Sequence, residues 1–334
     1  MRARGRKTAR EASFSAMITQ RKERGFPSLT FELIPVPPFH LEYTAWALRR
    51  RSENAVDLWD GTRYRRVLKL EGRLVEVQVL QEGRPEAPRL EVTVRDGHLG
   101  PRARPEVTRI LRHVLGLQID LAPFYRIAAK DSRLRTLTER YRGLKPVRFP
   151  TVFEALANAI ACQQFTLVAG LRLLGELARR GSVRLRTADG LHYGFPEPAD
   201  FLRWPAHTFR GIGFSRQKTI AFRNLSRGVL KGRFDLEALD SMGNDAAMNF
   251  LLQLRGIGRW SAEYALLRGL GRMDVFPADD VGARNGLAKW LRLHTPLDYE
   301  SVLRILRPWQ PYGGLVYFHL LLESLRAAGK LNVE

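Results

Sequence analysis

The distribution of apolar residues changes about one third of the way along the chain. Apolar and polar residues first alternate, most clearly at 74–79 and 90–94, which is typical of strands with one buried face. We therefore predict an α+β domain with an antiparallel sheet over residues 28–127. Its other predicted elements are strands in 29–36 and 66–80 and helices at 44–51 and 106–115.

From about residue 128, apolar residues recur three and four positions apart, between short breaks. This spacing predicts amphipathic helices. The less regular residues 183–198 are expected to carry a small hairpin. The predicted fold class is α+β, with the sheet domain followed by a mostly α-helical bundle at 128–334. Its predicted helices cover 132–142, 151–177, 199–204, 215–228, 236–242, 245–254, 259–269, 281–290, 299–306 and 312–328.

The sequence LLQLRGIGRWSAEYALLRGL, residues 251–270, predicts two helices joined by a tight glycine turn. Gly256 and Gly258 allow a close approach of the backbone to a ligand, and Ile257 is expected to anchor the turn in the core. Unpaired N–H groups at the start of the second helix favour a phosphate. Residues 245–270 are therefore a candidate phosphate-binding helix-hairpin-helix.

A second Gly-Ile-Gly turn stands at residues 211–213, with no carboxylate at a comparable distance after it. We expect this turn to shape the bundle. Arg216 and Lys218, which follow it, are candidate phosphate contacts.

Two adjacent carboxylates, Asp279 and Asp280, precede the predicted helix at 281–290. Either one can cap that helix. Alternatively, a carboxylate fixed in a water-poor site can stabilise a positively charged transition state, as in glycoside hydrolysis. Spacing alone leaves both interpretations open.

Charge makes nucleic acid the expected partner. The chain has 55 Lys and Arg against 34 Asp and Glu, a formal net charge of +21, which favours a polyanion. Residues 1–27 are basic without an apolar core, so we expect a disordered arm or a targeting segment, not a secretory signal. No stretch reaches the ~18 apolar residues that span a membrane.

Metal chemistry is not expected from the side chains. Cys162 is the single cysteine, which excludes an intrachain disulfide and a cysteine-rich metal site. The seven histidines are scattered, without metal-ligand spacing.

The motif LRGIGRWSA at 254–262, with Asp280 downstream and AIACQQ at 159–164, resembles the helix-hairpin-helix DNA glycosylases. The similarity is greatest to the bacterial 3-methyladenine DNA glycosylase II family and covers residues 28–334. It implies two helical subdomains, 151–271 and 128–150 with 272–334. It also implies that Asp280 is catalytic, with Asp279 as the cap or a neighbouring support.

The resemblance further implies which side chains meet the DNA. Trp260 occupies the position at which related glycosylase/lyases carry a Schiff-base lysine, so a monofunctional enzyme is expected. Gln163 and Gln164 match a doublet that faces the DNA, and either Gln164 or Phe165 fills the gap left by the flipped base. If the resemblance fails, the doublet is a solvated pair on a helix. The implied base-pocket aromatics are Trp260, Tyr264 and Trp309, to which the sequence adds Tyr312. Gln163 is assigned to the same pocket.

The expected function is removal of alkylated purines, of the 3-methyladenine and 7-methylguanine type, from double-stranded DNA by a monomeric cytoplasmic enzyme. Backbone N–H groups at Gly256 and Gly258, with Arg255 and Arg259, should hold the phosphate. No cofactor is expected, although the resemblance implies that hairpin carbonyls can hold a monovalent cation. The alternatives are a non-enzymatic helix-hairpin-helix DNA-binding protein and a glycosylase/lyase for oxidised bases.

Overall fold

The computed structural model describes residues 28–95 and 100–331. The predicted basic arm at 1–27 lies outside these residues. Five strands form one antiparallel sheet in the order β1-β5-β4-β3-β2. Their bounds are β1 Ser28–Leu33, β2 Leu58–Trp59, β3 Arg63–Leu70, β4 Arg73–Glu82 and β5 Arg89–Arg95.

The alternating pattern of the sequence becomes the buried face of this sheet. Val77 of β4 lies opposite Val94 of β5, and Val79 lies opposite Val92. All four side chains are at most 1% exposed, because alternate residues of a strand point to the same face.

Helices make up most of the remaining described residues. The first two, α1 and α2, accompany the sheet, and the others form the bundle, as the predicted α+β fold class requires. Their bounds are α1 Leu41–Arg49, α2 Ala103–Val114, α3 Ala122–Ala128, α4 Ser132–Arg140, α5 Val152–Cys162, α6 Leu167–Arg180, α7 Pro198–Arg203, α8 Ala206–Ile212, α9 Arg216–Leu230, α10 Asn244–Leu252, α11 Arg259–Arg268, α12 Val281–Leu291, α13 Tyr299–Leu306 and α14 Gly313–Ala327.

The shorter helices and strands confirm one sequence-based prediction and differ from others. The expected hairpin is present as β6 (Arg184–Thr187) paired with β7 (Gly190–Tyr193). The segment predicted as a helix at 236–242 is a 3-10 turn, Glu237–Ser241. The spacing of apolar residues did not predict α3 and α8.

The predicted single helix over 151–177 is wrong. The chain leaves α5 at Gln163, and Gln164 has a φ of +57°, a backbone region that a right-handed helix does not use. Thr166 then starts α6, its hydroxyl accepting a hydrogen bond from the N–H of Ala169 at 3.2 Å. The break leaves Gln163 to Thr166 as a loop.

The sheet domain and the helical region share buried contacts. Arg66 of β3 binds Asp57 at 2.7 Å and Glu154 of α5 at 2.6 Å, and all three side chains are nearly inaccessible. One continuous apolar core extends from the sheet through the helices. The boundary near residue 127 and the two helical subdomains stay predictions. In the described part of the chain, no helix is long and apolar enough to cross a membrane.

Candidate active site

The glycine hairpin joins α10 to α11. Gly256 has a φ of +87°, and a Cβ atom there would lie 2.6 Å from the Cβ of Ala221, so a larger residue would be both strained and crowded. Ile257 is 6% exposed and anchors the turn as expected. Gly258 is the N-cap of α11, and both glycines are exposed to solvent. The first N–H groups of α11 therefore begin at an exposed turn, where a phosphate can bind.

Arg259 connects the hairpin with the carboxylate pair. Its Nε donates to Asp279 at 2.6 Å, and its guanidinium lies 3.8 Å from the ring centroid of Tyr299. The Tyr299 hydroxyl in turn donates to the buried carboxylate of Glu263 at 2.7 Å. Arg259 is exposed and so can also meet DNA, while Asp279 is the supporting partner of the hairpin.

The Asp280 carboxylate is held by two hydrogen bonds, one of which makes it a helix cap. Its Oδ1 accepts a hydrogen bond from the N–H of Ala283 at 2.9 Å, which makes Asp280, and not Asp279, the N-cap of α12. Its Oδ2 accepts from the indole Nε1 of Trp260 at 3.2 Å. These two bonds fix the orientation of the carboxylate.

A cavity of about 630 Å³ opens beside this carboxylate, within the range of roughly 300–1,000 Å³ found for small-molecule pockets. Its walls come from the two residues after α1, from the end of α5 and the α5–α6 loop, from α11, from the first two turns of α12 and from the part of α14 between Tyr317 and Ser324. Trp260, Tyr264, Asp279 and Asp280 all line it. The fold therefore brings the hairpin helix and the carboxylate to one cavity.

The loop between α5 and α6 forms another wall. Gln163 lines the cavity, and its Nε2 donates to the carbonyl of Gly256 at 2.8 Å and to the Ser261 hydroxyl at 2.9 Å. Gln164 and Phe165 also line the cavity but are exposed, Phe165 by 42%. Gln163 thus ties the loop to the hairpin, and the next two side chains project at the protein surface.

The predicted aromatics divide into two groups. Trp260 and Tyr264 lie at the cavity with ring centroids 5.6 Å apart. The structure places the other two elsewhere: Trp309 is 5% exposed and packs on Trp290, with centroids 5.5 Å apart. Tyr312 packs on a buried phenylalanine of α3. Neither Trp309 nor Tyr312 lines the cavity, because the turn before α14 directs both into the core.

The two basic residues after the second glycine turn also differ. Arg216 is exposed and available to a phosphate. Lys218 is 8% exposed, donates to the carbonyls of Ala161 and Gln163, and lies 4.0 Å from the ring centroid of Phe165. Burial lowers the pKa of Lys218 to about 8. Lys218 therefore holds the end of α5 and the loop rather than reaching out to DNA.

Arg50 is the most consequential residue that no sequence pattern indicated. It follows α1, lines the cavity and is 3% exposed. Its NH1 donates to the Tyr264 hydroxyl at 2.8 Å and its NH2 to Oδ1 of Asn158 at 2.7 Å. Arg50 is the middle residue of Arg49-Arg50-Arg51, and nothing in this sequence distinguishes it from an arginine exposed to solvent.

Other lining residues that the sequence did not assign to the site include Cys162, Tyr317 and Ser324. Burial raises the pKa of the Cys162 thiol and raises that of Tyr317 well above its ordinary value. Burial likewise raises the pKa of Tyr264, although the positive charges of Arg50 and Arg268 oppose the shift. Both phenols therefore remain protonated hydrogen-bond donors at neutral pH. Within residues 28–95 and 100–331, no group of three or more His, Cys, Asp or Glu side chains is arranged to hold a metal ion.

Comparison with known proteins agrees with this geometry. Residues 157–311 match the model of the HhH-GPD superfamily base excision DNA repair protein. The DNA-3-methyladenine glycosylase of Bacillus subtilis strain 168 is 26% identical over 217 residues, which are 65% of this chain and 72% of the relative. A probable N-glycosylase/DNA lyase of Methanothermobacter thermautotrophicus is 25% identical over 268 residues, 74% of this chain and 81% of the relative.

A solved structure is similar over nearly the whole chain. The 3-methyladenine DNA glycosylase from Archaeoglobus fulgidus superposes with a TM-score of 0.77 at 27% identity, covering 90% of this chain and 100% of that one. The resemblance stated from the motifs is thus confirmed. Residues 157–311 therefore match the HhH-GPD superfamily of base excision DNA repair proteins, and the chain as a whole is similar to 3-methyladenine DNA glycosylases.

Proposed function

We propose that the protein is a monofunctional DNA glycosylase that hydrolyses the N-glycosidic bond of alkylated purines turned out of double-stranded DNA. The observation that carries this proposal is the oriented carboxylate of Asp280 at a cavity of about 630 Å³. A helix-hairpin-helix that only binds DNA needs neither of these features. The similarity to the glycosylase from Archaeoglobus fulgidus supports the same reaction class.

Asp280 acts on the sugar. Loss of the base builds positive charge on the sugar ring, and a fixed carboxylate nearby stabilises that charge. At a separation of about 4 Å and an effective dielectric constant of about 20, the attraction is about 4 kcal/mol. Because Ala283 and Trp260 already hold the two oxygens, little reorganisation is needed when the charge appears.

The aromatic wall receives the base. Trp260 and Tyr264 present ring surfaces to the cavity, and flipped bases stack on such surfaces. A base methylated at a ring nitrogen carries positive charge, which the face of an indole attracts by about 0.5–2 kcal/mol. This wall therefore favours alkylated over normal purines.

The cavity offers no amine for strand cleavage. Trp260 stands where a Schiff-base lysine would be required, and none of the residues that line the cavity, all of them in the described ranges, is a lysine. We therefore propose an abasic site as the product, with the strand intact.

Double-stranded DNA would lie across the hairpin and the α5–α6 loop. The exposed turn at Gly256 and Gly258 supplies phosphate-binding N–H groups, and Gln164 or Phe165 would occupy the place of the flipped base. The implied monovalent cation stays a prediction. It would use hairpin carbonyls, of which that of Gly256 already accepts a hydrogen bond from Gln163.

The test is base release from DNA methylated at purines, with strand breaks measured before and after alkali. We expect free methylated purine and breaks that appear only after alkali. Asp280→Asn should lower the rate of base release by about 10³-fold while DNA binding persists. Asp298→Asn is the matched control, because Asp298 caps α13 through the N–H of Ser301 at 2.8 Å and does not line the cavity.

Three results would contradict the proposal. DNA binding without release of any base would indicate a non-enzymatic binder. Strand breaks before alkali, together with a borohydride-trapped adduct, would indicate a glycosylase/lyase. Release by Asp280→Asn at the rate of the unmodified protein would remove Asp280 from the reaction.

A further inference from the structure

Asp279 places a second negative charge next to the carboxylate that we propose to be catalytic. It directly precedes Asp280 in the chain, and both side chains line the cavity. Two carboxylates close together hinder each other's ionisation, so an unpaired Asp279 would make Asp280 easier to protonate. A protonated Asp280 could not stabilise the positive charge on the sugar. The site therefore requires a cation that stays with Asp279.

Arg259 is that cation, but the ion pair alone would not hold it in place. Its Nε donates to Asp279 at 2.6 Å, and the two side chains are 51% and 27% exposed. Ion pairs as exposed as this one are weak. An arginine beside the hairpin is also attracted by DNA phosphates, which bind a guanidinium group through two parallel hydrogen bonds. Bound DNA would therefore draw Arg259 away from Asp279 unless a further contact fixed it.

The ring of Tyr299 supplies this further contact. The guanidinium of Arg259 lies 3.8 Å from the centroid of the ring, a distance at which the face of an aromatic ring attracts a cation. Tyr299 is the first residue of α13 and directly follows the N-cap Asp298, so the start of a helix fixes its backbone. It does not line the cavity, and so it acts through Arg259 and not on the substrate.

Glu263 fixes the orientation of that ring. Its Oε1 accepts a hydrogen bond from the Tyr299 hydroxyl at 2.7 Å, and its side chain is 3% exposed. Arg259 and Glu263 are four positions apart on α11 and therefore lie on the same face of this helix. One contacts the ring of Tyr299 and the other its hydroxyl group. Burial raises the pKa of Glu263, and the hydrogen bond from Tyr299 opposes the shift.

We propose that Tyr299, held by Glu263, is a positioning residue that keeps Arg259 on Asp279 when DNA is bound and thereby keeps Asp280 ionised. This inference rests on the proposed glycosylase function. It adds to the reaction a residue outside the cavity, whose loss should change the pH dependence of base release.

The other ionisable groups near Asp280 do not titrate in weak acid. Burial raises the pKa of the three that are neutral, which are Cys162 of α5, Tyr264 of α11 and Tyr317 of α14. Arg50 lines the cavity, and the N–H of Arg284 donates to the carbonyl of Asp280; both guanidinium groups stay charged in acid. Among these groups and the positioning residues, weak acid changes only the charges of Asp279, Asp280 and Glu263.

The experiment measures the pH dependence of single-turnover release of 7-methylguanine from duplex DNA at saturating protein, between about pH 4.5 and 7. This base is already cationic in acid, so protonation of the substrate does not contribute to the profile. Tyr299→Leu removes the ring and should move the acid midpoint of the profile upwards by roughly one pH unit, as expected for an unpaired like charge nearby. Tyr299→Phe keeps the ring but loses the bond to Glu263, and it should give a smaller shift in the same direction.

Two further variants test the route through Arg259. Asp279→Asn removes the charge that Arg259 neutralises, so Tyr299→Leu should not move the midpoint when it is added to Asp279→Asn. Glu263→Gln keeps an acceptor for the Tyr299 hydroxyl, so it should move the midpoint less than Tyr299→Leu does.

Tyr125→Leu is the matched control. Arg142 lies 5.1 Å from the ring centroid of Tyr125 and binds Glu86 at 3.1 Å, which repeats the arrangement of tyrosine, arginine and carboxylate at residues that do not line the cavity. Its acid midpoint should equal that of the unmodified protein.

A folded Tyr299→Leu protein with a lower rate at every pH and an unchanged midpoint would show a merely structural role and overturn the inference, while the proposed function would stand. An equal shift in the Asp279→Asn background would overturn it as well. If Tyr299→Leu does not fold, an unchanged midpoint in Tyr299→Phe has the same meaning. If the unmodified protein releases no 7-methylguanine at any pH, the proposed function fails, and the inference fails with it.

Discussion

Replacing Asp280 separates its electrostatic role from its structural one. Asparagine removes the charge but can still cap α12, because its amide oxygen accepts the N–H of Ala283 as the carboxylate does at 2.9 Å. Alanine removes the charge and the cap together. The two variants should therefore lose activity alike and differ in stability.

The magnitudes follow from the geometry of the carboxylate. Loss of an attraction of about 4 kcal/mol between Asp280 and a sugar cation corresponds to a fall of about 10³-fold in the rate of base release. Loss of the cap in Asp280→Ala costs about 1 kcal/mol, and for a chain of 334 residues we expect Tm to fall by about 1–2 °C. Asp280→Asn should melt within about 0.5 °C of the unmodified protein, since most of the cap remains.

Single-turnover base release measures the first effect, and thermal unfolding measures the second. Asp298→Ala removes a cap of the same kind from α13, so it should melt earlier while releasing bases normally. An Asp280→Asn protein within tenfold of the unmodified rate would refute the charge argument. An Asp280→Ala protein as stable as Asp280→Asn would refute the capping argument.

Four further predictions concern the hairpin, the loop, the surface charge and a buried histidine. Gly256→Ala should lower both Tm and DNA affinity, because its backbone has a φ of +87° and the added Cβ atom would lie 2.6 Å from the Cβ of Ala221. Gly258→Ala should fold normally, because no atom lies within 4 Å of the Cβ that it would add. Alanine at Gln164 or Phe165 should slow base release from duplex DNA more than from single strands, where no gap must be filled. The logarithm of the DNA-binding constant should fall linearly with the logarithm of the salt concentration, with a slope of about −0.9 per phosphate contacted. A binding constant that does not change with salt would contradict binding through charge. Burial lowers the pKa of His319 from 6.5 to about 4. The unfolded state therefore binds a proton more readily than the folded state, and the free energy of unfolding should decline as pH falls from 6.5 towards 4. Unfolding in denaturant should show that the stability of His319→Gln depends less on acid pH.

The sequence determined most of the local elements and the position of the carboxylate that we propose to be catalytic. Alternating valines specify strands wherever one face is buried, and apolar spacing specifies most of the helices. The two glycines of the hairpin are required by backbone geometry, which is a local property. Asp280 was identifiable because its motif lies within a short stretch of chain, and the structure shows that one side chain serves as both the cap and the carboxylate of the cavity.

The sequence pattern gave wrong predictions where tertiary packing determines which local conformation a segment adopts. The helix at 151–177 is interrupted at Gln163, although no glycine or proline marks the break, because Lys218 binds the terminal carbonyls of α5 and Thr166 starts α6. Trp309 is an aromatic residue of the kind that lines a base pocket, but it packs in the core against Trp290. The sequence shows that such side chains are aromatic or amide, and only the fold decides which surface they face.

Contacts between distant residues were decided by the tertiary structure alone. Gln163 meets the carbonyl of Gly256 across 93 positions, and Arg50 meets Tyr264 across 214. No periodicity connects residues at such separations, because their approach depends on how the sheet domain and the helices bury one continuous core. The sequence by itself therefore determined the hairpin and the carboxylate, whereas the packing of that core decided that a buried arginine would complete the cavity beside them.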